Sequence, residues 1–230
     1  MFRTNMEENP TTADKNARMC RMSHFASLLL GFAIFAFLQL AALGSAARAQ
    51  DASNATTEVK ATVDQVLQIL KDPEYQSAPG ERRRKLRELI GSHFDFADMS
   101  RSALGYHWKT LTDEQRQQFT SLFTHLMEAS YMGKIESYHN QQIQYLGEVS
   151  DGPGYAQVNT QIIGENQQPI SVNYRLRQEN GTWKVYDVVI DGISLVANYR
   201  NQFNRVINTK GYDALIQEMQ NKETQLQGPT

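Results

Sequence analysis

The apolar positions of this chain change period along its length, and each change marks a boundary. From Val59, the residues Val63, Val66, Leu67 and Leu70 recur at helical spacing, predicting an amphipathic helix that ends before Pro73. "PEYQSAPG" is expected to be a loop. A second helix is expected over about Glu81 to His93, with Leu86, Leu89 and Ile90 on one side. In "FDFADMSRSALG", Asp95 suits an N-cap, Met99 and Ala103 follow at helical spacing, and Gly105 suits a stop. In "TLTDEQRQQF", Thr112 and Gln115 form a capping box, with Asp113 and Glu114 favourable at the positive helix end. That helix is expected to reach about Tyr138, and Phe119, Leu122, Phe123, Leu126, Met127, Tyr131 and Ile135 give it a wide apolar arc.

Beyond His139 the pattern turns to strands. "QIQYLGEV", "YAQVNTQII", "PISVNYRLRQ" and "TWKVYDVVID" are separated by short turn-forming stretches, which predicts an antiparallel meander. In the third run Ile170, Val172, Tyr174 and Leu176 share a face opposite Ser171, Asn173, Arg175 and Arg177. The fourth run breaks this rule. Simple alternation points Val185 and Val189 one way and Tyr186, Val188 and Ile190 the other, so both faces are apolar. Either both faces are buried or the sheet lines a cavity. After Asp191-Gly192, Leu195, Val196, Tyr199 and Phe203 begin a helix from about Ser194 to Asn208, and "YDALIQEM" adds a last one. The expected fold class is α+β. N-terminal helices and a returning C-terminal helix pack on a curled antiparallel sheet of about four strands.

The stretch before Val59 belongs to a different kind of segment. Arg18, Arg21 and His24 precede a long apolar run, and the small residues after it end in Ala47-Arg48-Ala49. This is the form of a signal peptide cleaved after Ala49; the alternative is an uncleaved anchor, since Phe25 to Leu43 almost spans a bilayer. The polar segment before Arg18 is long for a leader, which makes Met19 and Met22 candidate starts. The expected division is a signal peptide over 1–49, a disordered lead-in over 50–58, one domain over 59–222 and a polar tail over 223–230. After cleavage the chain has 18 basic and 22 acidic residues, a balance unsuited to nucleic acid. Its one cysteine, Cys20, lies before the apolar run, so the exported part holds neither disulfide nor thiolate chemistry. Export of a cysteine-free domain points to a bacterial periplasm.

Motifs for chemistry are sparse. His93, His107, His125 and His139 lack metal-binding spacing, and no phosphate loop or nucleophile elbow occurs. Asp187 with His107 or His125 is the one acid–base pair that could be drawn. A non-enzymatic adaptor is a further alternative. Arg82, Arg83, Arg84 and Lys85 form a basic cluster that is either a solvated helix face or a docking site for an acidic partner or anionic membrane.

"FDFADMSRSALGYHW", "LTDEQRQQFTSLFTHLMEASY" and "GTWKVYDVVIDGISLVANYRNQF" together resemble the MlaC or toluene-tolerance family of periplasmic phospholipid carriers, over about Val59 to Lys222. The resemblance implies an apolar cavity that holds acyl chains, and no catalytic group or cofactor. It also implies partners in an inner-membrane ABC transporter complex and an outer-membrane lipoprotein complex, with the carrier itself a monomer. On that basis the lipid-facing residues are expected to be Phe96, Met99, Leu104 and Trp108 around the third helix, and Phe123, Leu126, Met127 and Tyr131 on the fourth. The sheet would contribute Val172, Tyr174, Tyr186, Val188 and Ile190, and the following corner and helix Ile193, Leu195, Tyr199 and Phe203.

Overall fold

The computed structural model describes residues 55–138, 140–164 and 168–227, all in the unit Gln50–Thr230 into which the chain divides after Ala49. The expected leader therefore lies outside the described residues. Helix α1 already includes residue 55 and runs to residue 71. Ala55 and Val59, one turn apart, are both buried, which makes residues 55–58 ordered helix where a disordered lead-in was expected. The expected loop after it holds a short helix, α2 (Pro73–Gln76), with proline in its first turn and the Asp72 carboxylate accepting from the Glu74 amide.

Helix α3 (Pro79–His93) ends against the sheet. The Asp95 amide donates to the Val185 carbonyl at 2.8 Å, and Phe94 forms a parallel bridge with Val185. Helix α4 (Phe96–Leu104) starts and stops as its sequence indicates. The Asp95 side chain accepts from the Asp98 amide, and Gly105 adopts a φ of 58° that a side chain would strain. A 3₁₀ turn, Gly105–Thr110, then leads to α5 (Asp113–Glu136), whose capping box closes in both directions between Thr112 and Gln115.

Five antiparallel strands follow in sequence order: β1 (Gln142–Gly152), β2 (Tyr155–Ile163), β3 (Ile170–Glu179), β4 (Thr182–Ile190) and the two-residue β5 (Ile193–Ser194). Asn180-Gly181 and Asp191-Gly192 take positive φ at both positions, the turn geometry that matches strand twist in a tight hairpin. Helices α6 (Leu195–Lys210) and α7 (Tyr212–Gln227) complete the domain, so α7 extends into the expected polar tail. Helices α4 and α6 contact β4, and α5 and α7 pack on those two.

The helical side of the core centres on four rings. Phe119 and Phe123 stack at 5.8 Å, Phe203 meets both edge-on, and Tyr199 meets Phe123 edge-on at 5.3 Å. Phe119 and Phe123 are wholly buried. Phe123→Ala removes a wholly buried ring that touches the other three and is expected to destabilise the domain by about 3–5 kcal/mol. Urea denaturation checks this; a loss below about 1 kcal/mol would mean that the site collapses and the rings are not the centre of packing.

Candidate functional site

The fourth strand's two apolar faces are produced by one extra residue. Arg175 pairs with Asp187 and Leu176 with Val185, so Tyr186 is a bulge with no partner opposite. Parity switches there. Trp183 and Val185 before the bulge lie on the same face as Val188 and Ile190 after it, together with Leu176, Tyr174 and Val172 of β3. Tyr186 is turned to the outer face, where its ring meets Tyr155 edge-on at 6.0 Å. The expectation that Tyr186 faces the interior, and Val185 away from it, is therefore corrected. An extra residue between two alternating pairs, Trp183-x-Val185 and Val188-x-Ile190, is the signal that could have shown it.

A second bulge acts on β1. Tyr145 pairs with Thr160 and Gly147 with Asn159, which leaves Leu146 unpaired and 59 % exposed. Beyond it Glu148 stands opposite Val158 on the inner face, while Val149 is turned outward and is 51 % exposed. The inner face thus holds Val158, Thr160, Ile162, Val172, Tyr174, Leu176, Trp183, Val185, Val188 and Ile190, with one carboxylate at its β1 edge.

Most of the expected lining residues do come together. Phe96, Met99, Leu104, Trp108, Phe123, Leu126, Met127, Tyr131, Leu195, Tyr199 and Phe203 join Val172, Tyr174, Val188 and Ile190 in one continuous apolar cluster. Ile193 does not; it sits in the β4–β5 corner and is 61 % exposed. Between α1 and the sheet the cluster leaves a cavity of about 30 Å³ with apolar walls. Glu58, Val59, Thr62 and Val63 line it from α1, His93 and Phe94 from the end of α3, and Tyr174, Leu176, Trp183 and Val185 from the sheet. Sequence reasoning missed this α1 contribution, although Val59 and Val63 are the stripe it used to predict the helix. A larger groove of about 520 Å³ along Asp64, Leu67 and Lys71 is open and polar at its rim.

Several charged residues are paired within the domain. Asp187 is 4 % exposed and accepts from Arg175 Nη1 at 3.2 Å, from the Ser194 hydroxyl at 2.6 Å and from the Val196 amide at 3.1 Å. It anchors the positive end of α6. His125 faces Glu223 at 3.4 Å, and the His107 ring lies tilted against Tyr106 at 3.8 Å, so neither is placed in the acid–base pair drawn with Asp187. In the basic cluster, Arg82 and Arg83 both bind Glu136 of α5, at 3.0 and 2.9 Å, and Arg84 pairs with Glu81 and Glu88 of its own helix. Arg87 reaches Glu128 at 3.5 Å. Three of the four cations expected to dock a partner are thus held by internal carboxylates, and two of them fasten α3 to α5. Lys85, the fourth, is half-buried on the same helix.

The sequence profile of the MlaC protein family matches residues 60–221, from the sixth described residue of α1 through most of α7. The chain belongs to the MlaC family. Among its relatives, the intermembrane phospholipid transport system binding protein MlaC of Haemophilus influenzae is 30 % identical over 161 residues, covering 68 % of this chain and 72 % of that one. A toluene tolerance protein of Pseudomonas putida is 28 % identical over 158 residues, covering 67 % and 74 %. The solved phospholipid-binding protein from Ralstonia solanacearum, determined in complex with a phospholipid, superposes with a TM-score of 0.67 at 30 % identity. The match covers 74 % of this chain and 97 % of that one. The fold described above is therefore one shared with a protein solved with a bound phospholipid.

Two tyrosines report on how dry that face is. Burial pushes the phenols of Tyr174 and Tyr145 up to about 12, and the Tyr145 hydroxyl has no hydrogen-bond partner among the described residues. An unfolded phenol ionises near its ordinary value of 10.0. The folded state therefore holds these protons longer, and its stability falls as pH rises from about 10 towards 12. Tyr145→Phe keeps the ring and removes the ionisation, so alkaline unfolding of that variant is expected to shift to higher pH. An unchanged midpoint in a circular dichroism titration would place the phenol in water.

Proposed function

We propose that this chain is a periplasmic phospholipid carrier, which takes a lipid from one membrane complex and delivers it to another while shielding its acyl chains. The observation that carries the reading is the fold shared with the phospholipid-bound protein over 97 % of that protein's length. The physical case runs the same way. Each buried methylene is worth about 0.8 kcal/mol, so two acyl chains represent roughly 20 kcal/mol or more of unfavourable contact with water. A soluble carrier has to cover nearly all of that surface. The inner face of β1–β4 supplies a dry platform, and the helical cluster opposite supplies the other wall.

The acyl chains lie on Val172, Tyr174, Leu176, Trp183, Val185, Val188 and Ile190, whereas the ring cluster of α5 and α6 remains permanent core. The headgroup stays at the water-facing rim, so the apolar site places little demand on its chemistry. The donor and acceptor are an outer-membrane lipoprotein complex and an inner-membrane ABC transporter complex, and the carrier passes between them as a monomer after its leader is removed.

The test compares one substitution on each side of the sheet in residues 50–230. Val63→Asp sets a carboxylate against the cavity wall, and Tyr186→Ser alters only the outer face. Binding of a fluorescent phospholipid is expected to fall by at least about tenfold for Val63→Asp, because burying a carboxylate beside acyl chains costs several kcal/mol. Tyr186→Ser is expected to bind as the unaltered protein does, with both folds checked by circular dichroism. Weaker binding by Tyr186→Ser alone would reverse the assigned faces, and no phospholipid binding by the unaltered protein would defeat the carrier reading.

A further inference from the structure

The cavity beside α1 is too small for the cargo. Its volume of about 30 Å³ leaves room for a water molecule or two and no more. A dry cavity of about 150 Å³ is what a benzene molecule occupies, and an acyl chain needs several times more. Access to the inner face therefore requires some element to move, and the elements around it are not held equally.

Helix α3 is fixed at both ends. Its first turns are bound to Glu136 of α5 by Arg82 and Arg83, and its end is joined to β4 by backbone pairing at Phe94 and Asp95. Helices α4 and α5 bury four and six residues respectively, while α3, which buries Leu86 alone, is held by those ties instead. Across residues 55–71 of α1 only Ala55 and Val59 are buried, and Val63, Val66, Leu67, Ile69 and Leu70 stay half-buried. Few buried contacts over a long helix mark the part of a fold that opens most easily. The connection that follows, from Asp72 to Ala78, contains α2, which buries no residue.

Beyond Ala55 and Val59, which join the core cluster, what holds the start of α1 down is polar. Glu148 Oε2 accepts from the Thr56 amide at 2.9 Å and from the Thr56 hydroxyl, and His93 Nδ1 lies 3.1 Å from Glu58 Oε1. Glu148 reaches Thr56 only because of the bulge at Leu146. In unbroken alternation from Tyr145, Glu148 would point to solvent and Val149 inward. The strand instead exposes a valine and places a carboxylate on an apolar face, with Oε1 buried and unpartnered among the described residues. Such a local loss in packing and solvation is consistent with a device that aims one side chain at α1.

We propose that α1 is the lid of the lipid chamber, latched shut by Glu148 on Thr56 and by His93 beside Glu58, and that it lifts about the α2 connection to admit acyl chains to the sheet. The inference rests on the carrier reading and adds to it which wall moves. The long helix α5, fastened to α3 by arginines and packed through its phenylalanines, stays in place.

The experiment locks the lid. In residues 50–230, which contain no native cysteine, Thr56→Cys and Glu148→Cys are introduced together and oxidised in delipidated protein. Uptake of fluorescent phospholipid is then followed from phosphatidylethanolamine–phosphatidylglycerol vesicles. The cross-linked form is expected to load at least about tenfold more slowly than the same protein after reduction. Glu148→Gln, which weakens the latch without a cross-link, is expected to load faster than the unaltered protein. Equal rates for the oxidised and reduced forms would overturn the lid while leaving the carrier reading intact. Failure of the two cysteines to join in lipid-free protein even through a short bis-methanethiosulfonate linker, which spans the length lost with the glutamate side chain, would also overturn it, since α1 would not then lie beside β1 at Glu148. Absence of uptake by the unaltered protein as well would instead bring down the carrier reading, and the lid with it.

Discussion

Val158, Val172, Leu176, Val185 and Val188 line one side of a sheet whose other side carries Gln157, Asn159, Asn173 and Arg175, and water has to be kept off the first set. Much of the remaining architecture answers that constraint. Asp187 draws the start of α6 onto β4 through Ser194 and the Val196 amide, so the returning helix enters at a fixed position over the sheet. Asp95 caps α4, and Arg177 Nη2 binds its other carboxylate oxygen at 2.6 Å, tying the α4 entrance to β3. With α4 and α6 placed, α5 and α7 close over them through Phe119, Phe123 and Leu215. Helix α1 covers the inner face with two buried residues, Ala55 and Val59, over residues 55–71.

That unequal cover suits a molecule that must bury an apolar surface in two alternative ways. Without cargo, the α1 stripe covers the platform and leaves about 30 Å³ beneath it. In the proposed loaded state, acyl chains lie between the stripe and the platform. The difference between the two states has to be small for lipid to pass in both directions, and an interior packed to crystal-like density on every side would oppose it. Polar latches serve this better than apolar packing, because water replaces their hydrogen bonds when the lid lifts.

Local chemistry made much of the fold legible in the sequence. The capping box at Thr112, the Asp95 cap, the Gly105 stop and the strand–turn–helix join near Asp191-Gly192 all depend on residues within a few positions of one another. The alternation of β3 identified the dry face for the same reason. The two bulges were not legible by simple alternation, because an extra residue shows only once a partner strand fixes the register. That is why Tyr186 was expected inside and Val185 outside. The basic run Arg82 to Lys85 hid its ion pairs in another way: Glu136, which binds Arg82 and Arg83, lies more than fifty residues further along the chain. The role of Val59 and Val63 in the cavity wall depended on where α1 docks, which helical periodicity alone does not state.

The most direct test of the account is native mass spectrometry of residues 50–230, purified from bacteria without detergent, followed by organic extraction and analysis of the extract. The account predicts phospholipid in stoichiometric amount, released on extraction, with the protein still folded afterwards. Protein that is free of lipid, and that stays so after incubation with phospholipid vesicles, would contradict it.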